Sequence, residues 1–304
     1  MRVYFSISII FKFRFFTILL DMWNIFIQMG YEFRLFLPLL DTSIIVGRNI
    51  ANYTISEEAV LKDISQFLPG SWTHVEWEKR TDEYLNAYSS HIGIKKRGGK
   101  SQVELKIQPS NKALDGRVKW IEEWNKYKIK AMKSISSLQE LRIYRNDLIT
   151  IFTREGYGES DLENTLSSSG ALIPVQKSRK NLNFGSVDLE ICILEISCAS
   201  NVSKWLSVSV ESHNQEDILS FLKRARLSYP SLWISLFSLA SNLRSQSDGD
   251  DLALLPIISG YPMWVQAVDS AALDPIAKQS LVHDSMSRLS SLESFLADEG
   301  KAIN

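Results

Sequence analysis

Cysteine and histidine are scarce in this chain, and their scarcity removes several kinds of chemistry. The only cysteines are Cys192 and Cys198, in one short apolar stretch. On a strand their even spacing puts them on one face about 20 Å apart, beyond the reach of a disulfide. They read as buried apolar side chains in a reducing compartment. The four histidines, His74, His91, His213 and His283, are scattered without metal-ligand spacing, which argues against a zinc site. No G-x-S-x-G elbow and no P-loop occurs, so serine-hydrolase and Walker-type nucleotide chemistry lack their motifs. No repeat at solenoid period is present either.

An unbroken apolar run long enough to span a membrane is missing too. The most apolar segment, residues 1–28 (MRVYFSISIIFKFRFFTILLDMWNIFIQ), is interrupted by Lys12, Arg14 and Asp21. A spanning helix needs roughly 20 consecutive apolar residues, and a secretory signal has a cleaner apolar centre and small residues before cleavage. Three readings stay open: translation starts at Met29, the segment contacts a membrane, or it is an organelle-targeting peptide. The first makes the protein cytoplasmic.

The remaining composition is that of an ordinary folded protein: 304 residues, 45% hydrophobic, 23% charged. Its net charge of −1 conceals a split. Residues 95–133 hold twelve Lys and Arg against four Asp and Glu, whereas residues 246–304 hold nine acids against three bases. A basic region confined to one segment suits a small anionic ligand and argues against a broad nucleic-acid surface.

Period-two alternation predicts a strand at Tyr31–Leu37 ended by Pro38, then strands within His74–Tyr88, Ile92–Arg97, Val103–Gln108, Val187–Ser197 and Trp205–Glu211. Gly98-Gly99 reads as a hairpin turn. Val118–Ile129 fits a strand or a helix, because Trp120 and Trp124 satisfy both spacings. Helices are expected at Ser56–Leu68, Ser136–Phe152, Glu216–Leu227 and Pro275–Ala297. Residues 156–183, rich in Ser, Gly and charge, read as a long loop or insertion. Tyr261-Pro262-Met263-Trp264 reads as a loop anchored by its aromatics.

Charges of both signs occupy alternate strand positions: Glu32 and Arg34, Arg80 and Asp82, Lys95 and Arg97, Glu104 and Lys106, Asp188 and Glu190, with Ser207, Ser209 and Glu211 on the last. An antiparallel sheet with one face in water, its charges paired across strands, has this pattern. If instead the sheet curls into a barrel, those charges face inward. Unpaired charges there are costly, and a polyanion bridged to the carboxylates by a divalent cation would satisfy them.

The order YEFRLF, EKRTDEYL, IGIKKRGG with VELKI, VDLE and WLSVSVE resembles the CYTH or triphosphate tunnel superfamily. IGIKKRGGKSQVELKIQ, VKWIEEW and LLPIISGYPMWV are similar to segments of uncharacterised CYTH-like proteins, and the likeness spans roughly residues 29–265 with gaps. It implies an α+β fold, a curled antiparallel meander sheet or barrel of triphosphate-tunnel type flanked by helices. Residues 29–265 would form that domain, with the loop near 156–183 inserted and residues 266–304 packing on it as a C-terminal helix. It further implies that Arg34, Arg80, Lys95, Arg97 and Lys106 hold phosphate, and that Glu32, Glu104, Asp188, Glu190 and Glu211 hold Mg²⁺ or Mn²⁺. The first strand departs from the superfamily's ExExK hallmark. It reads Glu32-Phe33-Arg34-Leu35-Phe36, with a base at the second acid and Phe36 at the lysine. The expected function is binding, with or without metal-dependent hydrolysis, of a triphosphate or other polyanionic phosphate. The alternative is a non-catalytic anion-binding or protein-interaction domain on the same fold.

Overall fold

The computed structural model describes residues 25–39, 61–62, 74–85, 89–98, 103–110, 118–129, 141–167, 172–198, 201–228, 257–268 and 275–298. Nine strands are described: β1 (Ile25–Leu39), β2 (Glu78–Leu85), β3 (Ile92–Arg97), β4 (Val103–Ile107), β5 (Glu122–Ile129), β6 (Leu172–Asn183), β7 (Asp188–Cys198), β8 (Asn201–Ser212) and β9 (Ile257–Ile258). The described helices are α1 (Arg145–Arg154), α2 (Glu159–Ser167), α3 (Gln215–Ser228), α4 (Tyr261–Val268) and α5 (Pro275–Asp298).

Every strand pairing is antiparallel, in the order β5-β4-β3-β2-β6-β7-β8-β1, and β1 pairs back with β5. Eight strands therefore close a barrel, the α+β architecture expected, and closure leaves the ring without an edge. The length of β1 makes closure possible. Its first half pairs with β5 (Ile25↔Ile129 to Glu32↔Glu122), its opposite edge runs along β8, and Leu35 and Phe36 take β9 as well.

Alternation then sorts side chains by face. On β1, Phe33, Leu35 and Leu37 point outward into a core shared with β7, β8, Ile218 and Leu222 of α3, and Leu289, Leu292 and Leu296 of α5. A second outer core joins Ile94 on β3, Leu105 on β4 and Tyr127 on β5 to Leu148, Ile151 and Phe152 of α1 and Leu162 of α2. Helices cover the barrel from outside on two sides, so the wall's apolar face is satisfied there and the inner face is free to carry charge. Among the described residues no helix is long and apolar enough to cross a membrane.

Several expectations need correction. The strand expected at Tyr31–Leu37 begins at Ile25, inside the apolar segment assigned to residues 1–28, and runs through Pro38 to Leu39. Pro38 is tolerated at Trp205 on the β8 side near the strand's end. Residues 1–24 lie outside the described residues, as do most of the helix expected at 56–68 and the Gly99 half of the β3–β4 turn. The loop expected at 156–183 is helix α2 followed by β6. β6 reads as a loop because both its faces are polar over its second half: Lys177 and Arg179 face the lumen, while Gln176 on the outer face is exposed. The ambiguous segment before residue 129 is a strand, with Trp120 in the preceding turn packed edge-on against Phe33 and Trp124 on β5. Tyr261-Pro262-Met263-Trp264 is no loop; it opens α4.

Candidate functional site: a charged lumen closed at one end

Helix α4 lies inside the barrel. Its Tyr261, Trp264, Val265 and Ala267 pack against lumen-facing Phe36, Tyr84, Val175, Cys192, Leu194 and Trp205. Phe36 stacks on Trp264 (5.0 Å, 8°), and Tyr84 stacks on Tyr261 (5.0 Å, 19°). Phe36, which departs from the expected lysine position, is thus part of an apolar floor. Two glycines admit this stopper. A Cβ on Gly93 would sit 2.6 Å from Pro262 Cγ, and one on Gly260 would sit 2.7 Å from the Trp124 ring. The entry to α4 is fixed by the buried Glu122 carboxylate, which accepts bonds from Ser259 Oγ (2.8 Å), Gly260 N (2.7 Å) and Trp124 Nε1 (3.0 Å) and pairs with Arg288 of α5 (2.5 Å).

Above that floor the lumen is charged, and bases outnumber acids on β2 to β6. Arg80 on β2, Lys95 and Arg97 on β3, Lys106 on β4, Lys126 on β5, and Lys177 and Arg179 on β6 form a basic arc. Glu190 on β7, Glu211 on β8 and Glu32 on β1 form the facing acidic arc, with Arg34 set into it. All five expected phosphate-binding residues therefore face one lumen. So do Glu32, Glu104, Glu190 and Glu211. Asp188 shares the strand face of Glu190 but lies at the rim: it sits exposed beside an open cleft of about 130 Å³ that Glu32, Glu211 and Lys126 also line, and it accepts a bond from Asn183 (2.7 Å).

Four lumen bases were not foreseen: Lys126, Lys128, Lys177 and Arg179. Lys126 and Lys128 belong to the segment with two possible periods. Lys177 and Arg179 fall in the segment read as a loop, where the alternation Ile173, Val175, Lys177, Arg179 was the available signal.

The arcs are bound together by ion pairs. Glu104 lies between Lys95 (2.8 Å) and Arg97 (3.0 Å). The fully buried Asp82 meets Arg80 (3.1 Å) and Lys177 (3.4 Å). Glu190 links Arg34 and Arg179 at 2.9 Å each. Glu32 joins Arg34 (2.6 Å) to Lys106, and Glu211 joins Arg34 (3.5 Å) to Lys126.

Burial alone would push the Glu32 carboxyl up, but the Lys106 and Arg34 charges outweigh it and hold Glu32 well below the usual carboxylate range. Glu190 is held down in the same way, against its burial, by Arg34, Lys177 and Arg179. Lys177 shows the opposite balance. Burial pushes its ammonium down to about 7 despite Asp82, and its Nζ donates to Tyr84 Oη (2.5 Å) and lies 3.7 Å from the Tyr261 ring centre. Burial, with repulsion from Lys126, also lowers Lys106 against the pull of Glu32.

Among the described residues, two guanidinium donors on neighbouring strands, Arg80 Nε and Arg97 Nε, are buried without a hydrogen-bond partner, as are the lumen hydroxyls of Ser209 and Tyr261. Buried donors normally have partners, and one left without costs about 1–3 kcal/mol.

The expected Mg²⁺ or Mn²⁺ does not fit these residues. Among the described residues no group of three or more His, Cys, Asp or Glu side chains is arranged to hold a metal. The reason is local: Glu32, Glu190 and Glu211 each have one oxygen on Arg34 and the other on a second base. Glu104 stands in the basic arc, and Asp188 is turned to Asn183.

No family model and no curated protein matches the chain. Among solved structures it is similar to a "putative adenylate cyclase" from Bacillus halodurans, at 11% identity and TM-score 0.32, over 58% of this chain and 86% of that one. It is also similar to the S. pombe Pct1 RNA triphosphatase, at 10% identity and TM-score 0.26, over 72% of this chain and 84% of that one. The same triphosphatase in complex with the Spt5 CTD gives 10% identity and TM-score 0.27, over 76% and 90%. Likenesses this distant carry no weight for the activity of this chain.

Proposed function

We propose that the protein binds a small polyanionic phosphate compound, of triphosphate type, in the blind lumen of its barrel. The observation that carries this reading is the pair of unpartnered buried donors, Arg80 Nε and Arg97 Nε, in a basic arc that also holds Lys95, Lys106, Lys126 and Arg179. A phosphate oxygen satisfies such donors with charge-assisted bonds, which strengthen as water is excluded. Several phosphates in a row match an arc spread over five adjacent strands. A ligand enters and leaves at the same end, because α4 closes the other. The reading favours binding over metal-dependent hydrolysis, since the carboxylates that would hold the metal are engaged by bases.

Glu104 is a stand-in for the ligand: its carboxylate occupies Lys95 and Arg97, which a phosphate would take over. The test is calorimetric titration of tripolyphosphate into the full chain. Saturable one-to-one binding is expected, at least about tenfold weaker in Arg97→Gln, on the order of 1.4 kcal/mol. The absence of binding by the unaltered protein, or equal binding by the variant, overturns the reading.

A further inference from the structure

Arg34 is bonded on every side. Its Nε donates to Glu32 Oε1 (2.6 Å), and its Nη1 donates to Glu190 Oε1 (2.9 Å) and Ser207 Oγ (2.8 Å). Its Nη2 lies 3.5 Å from Glu211 Oε1, and the Tyr261 ring packs against the guanidinium carbon at 4.5 Å. The side chain is 3% exposed. Three carboxylates from three strands therefore converge on one monovalent cation at the depth where the lumen meets its floor.

The second oxygen of each carboxylate points away from Arg34 to a different base: Glu32 to Lys106, Glu190 to Arg179, Glu211 to Lys126. Those outer bases are 16%, 17% and 27% exposed, so they are open to solvent in the lumen while Arg34, at its wall, is covered. Arg179 also meets Glu78 (2.7 Å), so four cations stand against four carboxylates in this network. A fixed guanidinium with planar donors suits this work, since it never deprotonates and matches carboxylates in geometry.

We propose that Arg34 is the resident cation of this barrel, in the position of a divalent metal, and that it orients Lys106, Lys126 and Arg179 toward the ligand through Glu32, Glu190 and Glu211. Phosphate binding is then independent of Mg²⁺ and Mn²⁺. This rests on the binding function proposed above and adds the organiser to it. Arg34 is a positioning residue: it touches the carboxylates, and the outer bases touch the ligand. Any divalent ion entering the cluster must displace a guanidinium already held by three carboxylates.

The test uses the full chain and two independent readouts. Mn²⁺ is titrated and followed by electron paramagnetic resonance without phosphate, and tripolyphosphate is titrated calorimetrically in EDTA and in Mg²⁺. The unaltered protein is expected to take up no stoichiometric Mn²⁺ and to bind tripolyphosphate in EDTA within about threefold of its affinity in Mg²⁺, once the Mg²⁺–tripolyphosphate equilibrium is included. Arg34→Gln, which frees three carboxylates, is expected to gain a one-to-one Mn²⁺ site and to lose at least about tenfold in tripolyphosphate affinity in EDTA. Arg34→Lys, which keeps the charge, should exclude Mn²⁺ as the parent does. Stoichiometric Mn²⁺ binding by the unaltered protein, or tripolyphosphate binding that disappears in EDTA, overturns the proposal. Should Arg34→Gln not fold, the unaltered protein and Arg34→Lys still decide it. Should the unaltered protein bind no tripolyphosphate at all, the ligand assignment fails while the Mn²⁺ titration still judges the role of Arg34.

Discussion

The side chains of the lumen divide into those that hold the structure together and those positioned to exchange partners. Lys106 belongs partly to the first group: its ammonium pairs with the 2%-exposed Glu32 and lies 4.5 Å from the Trp124 ring centre. Lys106→Ala is therefore expected to weaken tripolyphosphate binding and also to lower stability, by about 3 kcal/mol for a broken buried pair, measured by urea denaturation. Glu104 belongs to the second group. Glu104→Gln keeps the shape but removes the competing charge, so tripolyphosphate should bind about three- to tenfold more tightly, on the order of 1 kcal/mol. Weaker binding by that variant would show that Glu104 helps to hold the ligand.

Lys177 supplies a pH dependence. Its folded-state value of about 7 lies below the ordinary 10.5, so the unfolded chain binds the extra proton between those values. The cost of burying Lys177 is therefore fully present below about pH 7 and fades as pH rises toward 10.5. Lys177→Met removes that slope. Its stability relative to the parent should be greatest near pH 7 and fall with rising pH by on the order of 1 kcal/mol per unit. Chemical denaturation of both proteins at pH 7 and 9 checks this, and a difference that does not change with pH contradicts it. Polyanion binding by the parent should likewise strengthen as pH falls through about 7, because the arc gains a cation.

At the scale of elements, strands covered by helices were legible and the elements that close the lumen were not. β3, β4, β7 and β8 each show an apolar face beside a charged one, because one face meets a helix-lined core and the other meets the lumen. β6 is polar on both faces in its second half, so alternation in hydrophobicity vanishes there while the backbone is fully paired between β2 and β7. Helix α4 defeats periodicity for the opposite reason: every residue from Tyr261 to Ala267 is buried, so it has no polar face. Its seat was encoded instead in Gly93, where a Cβ would meet Pro262, and in Glu122, the hydrogen-bonding partner of the two residues that lead into it. Gly93→Val should displace α4 and lower stability by about 1–3 kcal/mol, the usual cost of overpacking, read from the denaturation midpoint. An unchanged midpoint would mean that α4 is not held against β3.

For the molecule as a whole, the expectation of a curled sheet with inward charges was right in architecture, and the pairing reading was right in detail. Both hold because a closed eight-stranded lumen is narrow enough for its acids and bases to reach one another. What the order of residues could not convey was Arg34 as hub. The pattern Glu32-Phe33-Arg34 shows a base two positions from an acid, but the convergence of Glu190 and Glu211 upon it depends on the β7–β8–β1 register.

A phosphate polyanion is expected to bind in the lumen at its basic arc. The most direct measurement is the position of tungstate, a tetrahedral oxyanion with strong anomalous scattering, in a crystal of the full chain. An anomalous peak is expected inside the barrel within hydrogen-bond distance of Arg80 Nε or Arg97 Nε and beside Lys95, with Glu104 turned away. Peaks confined to the outer surface, with Glu104 still between Lys95 and Arg97, would contradict it.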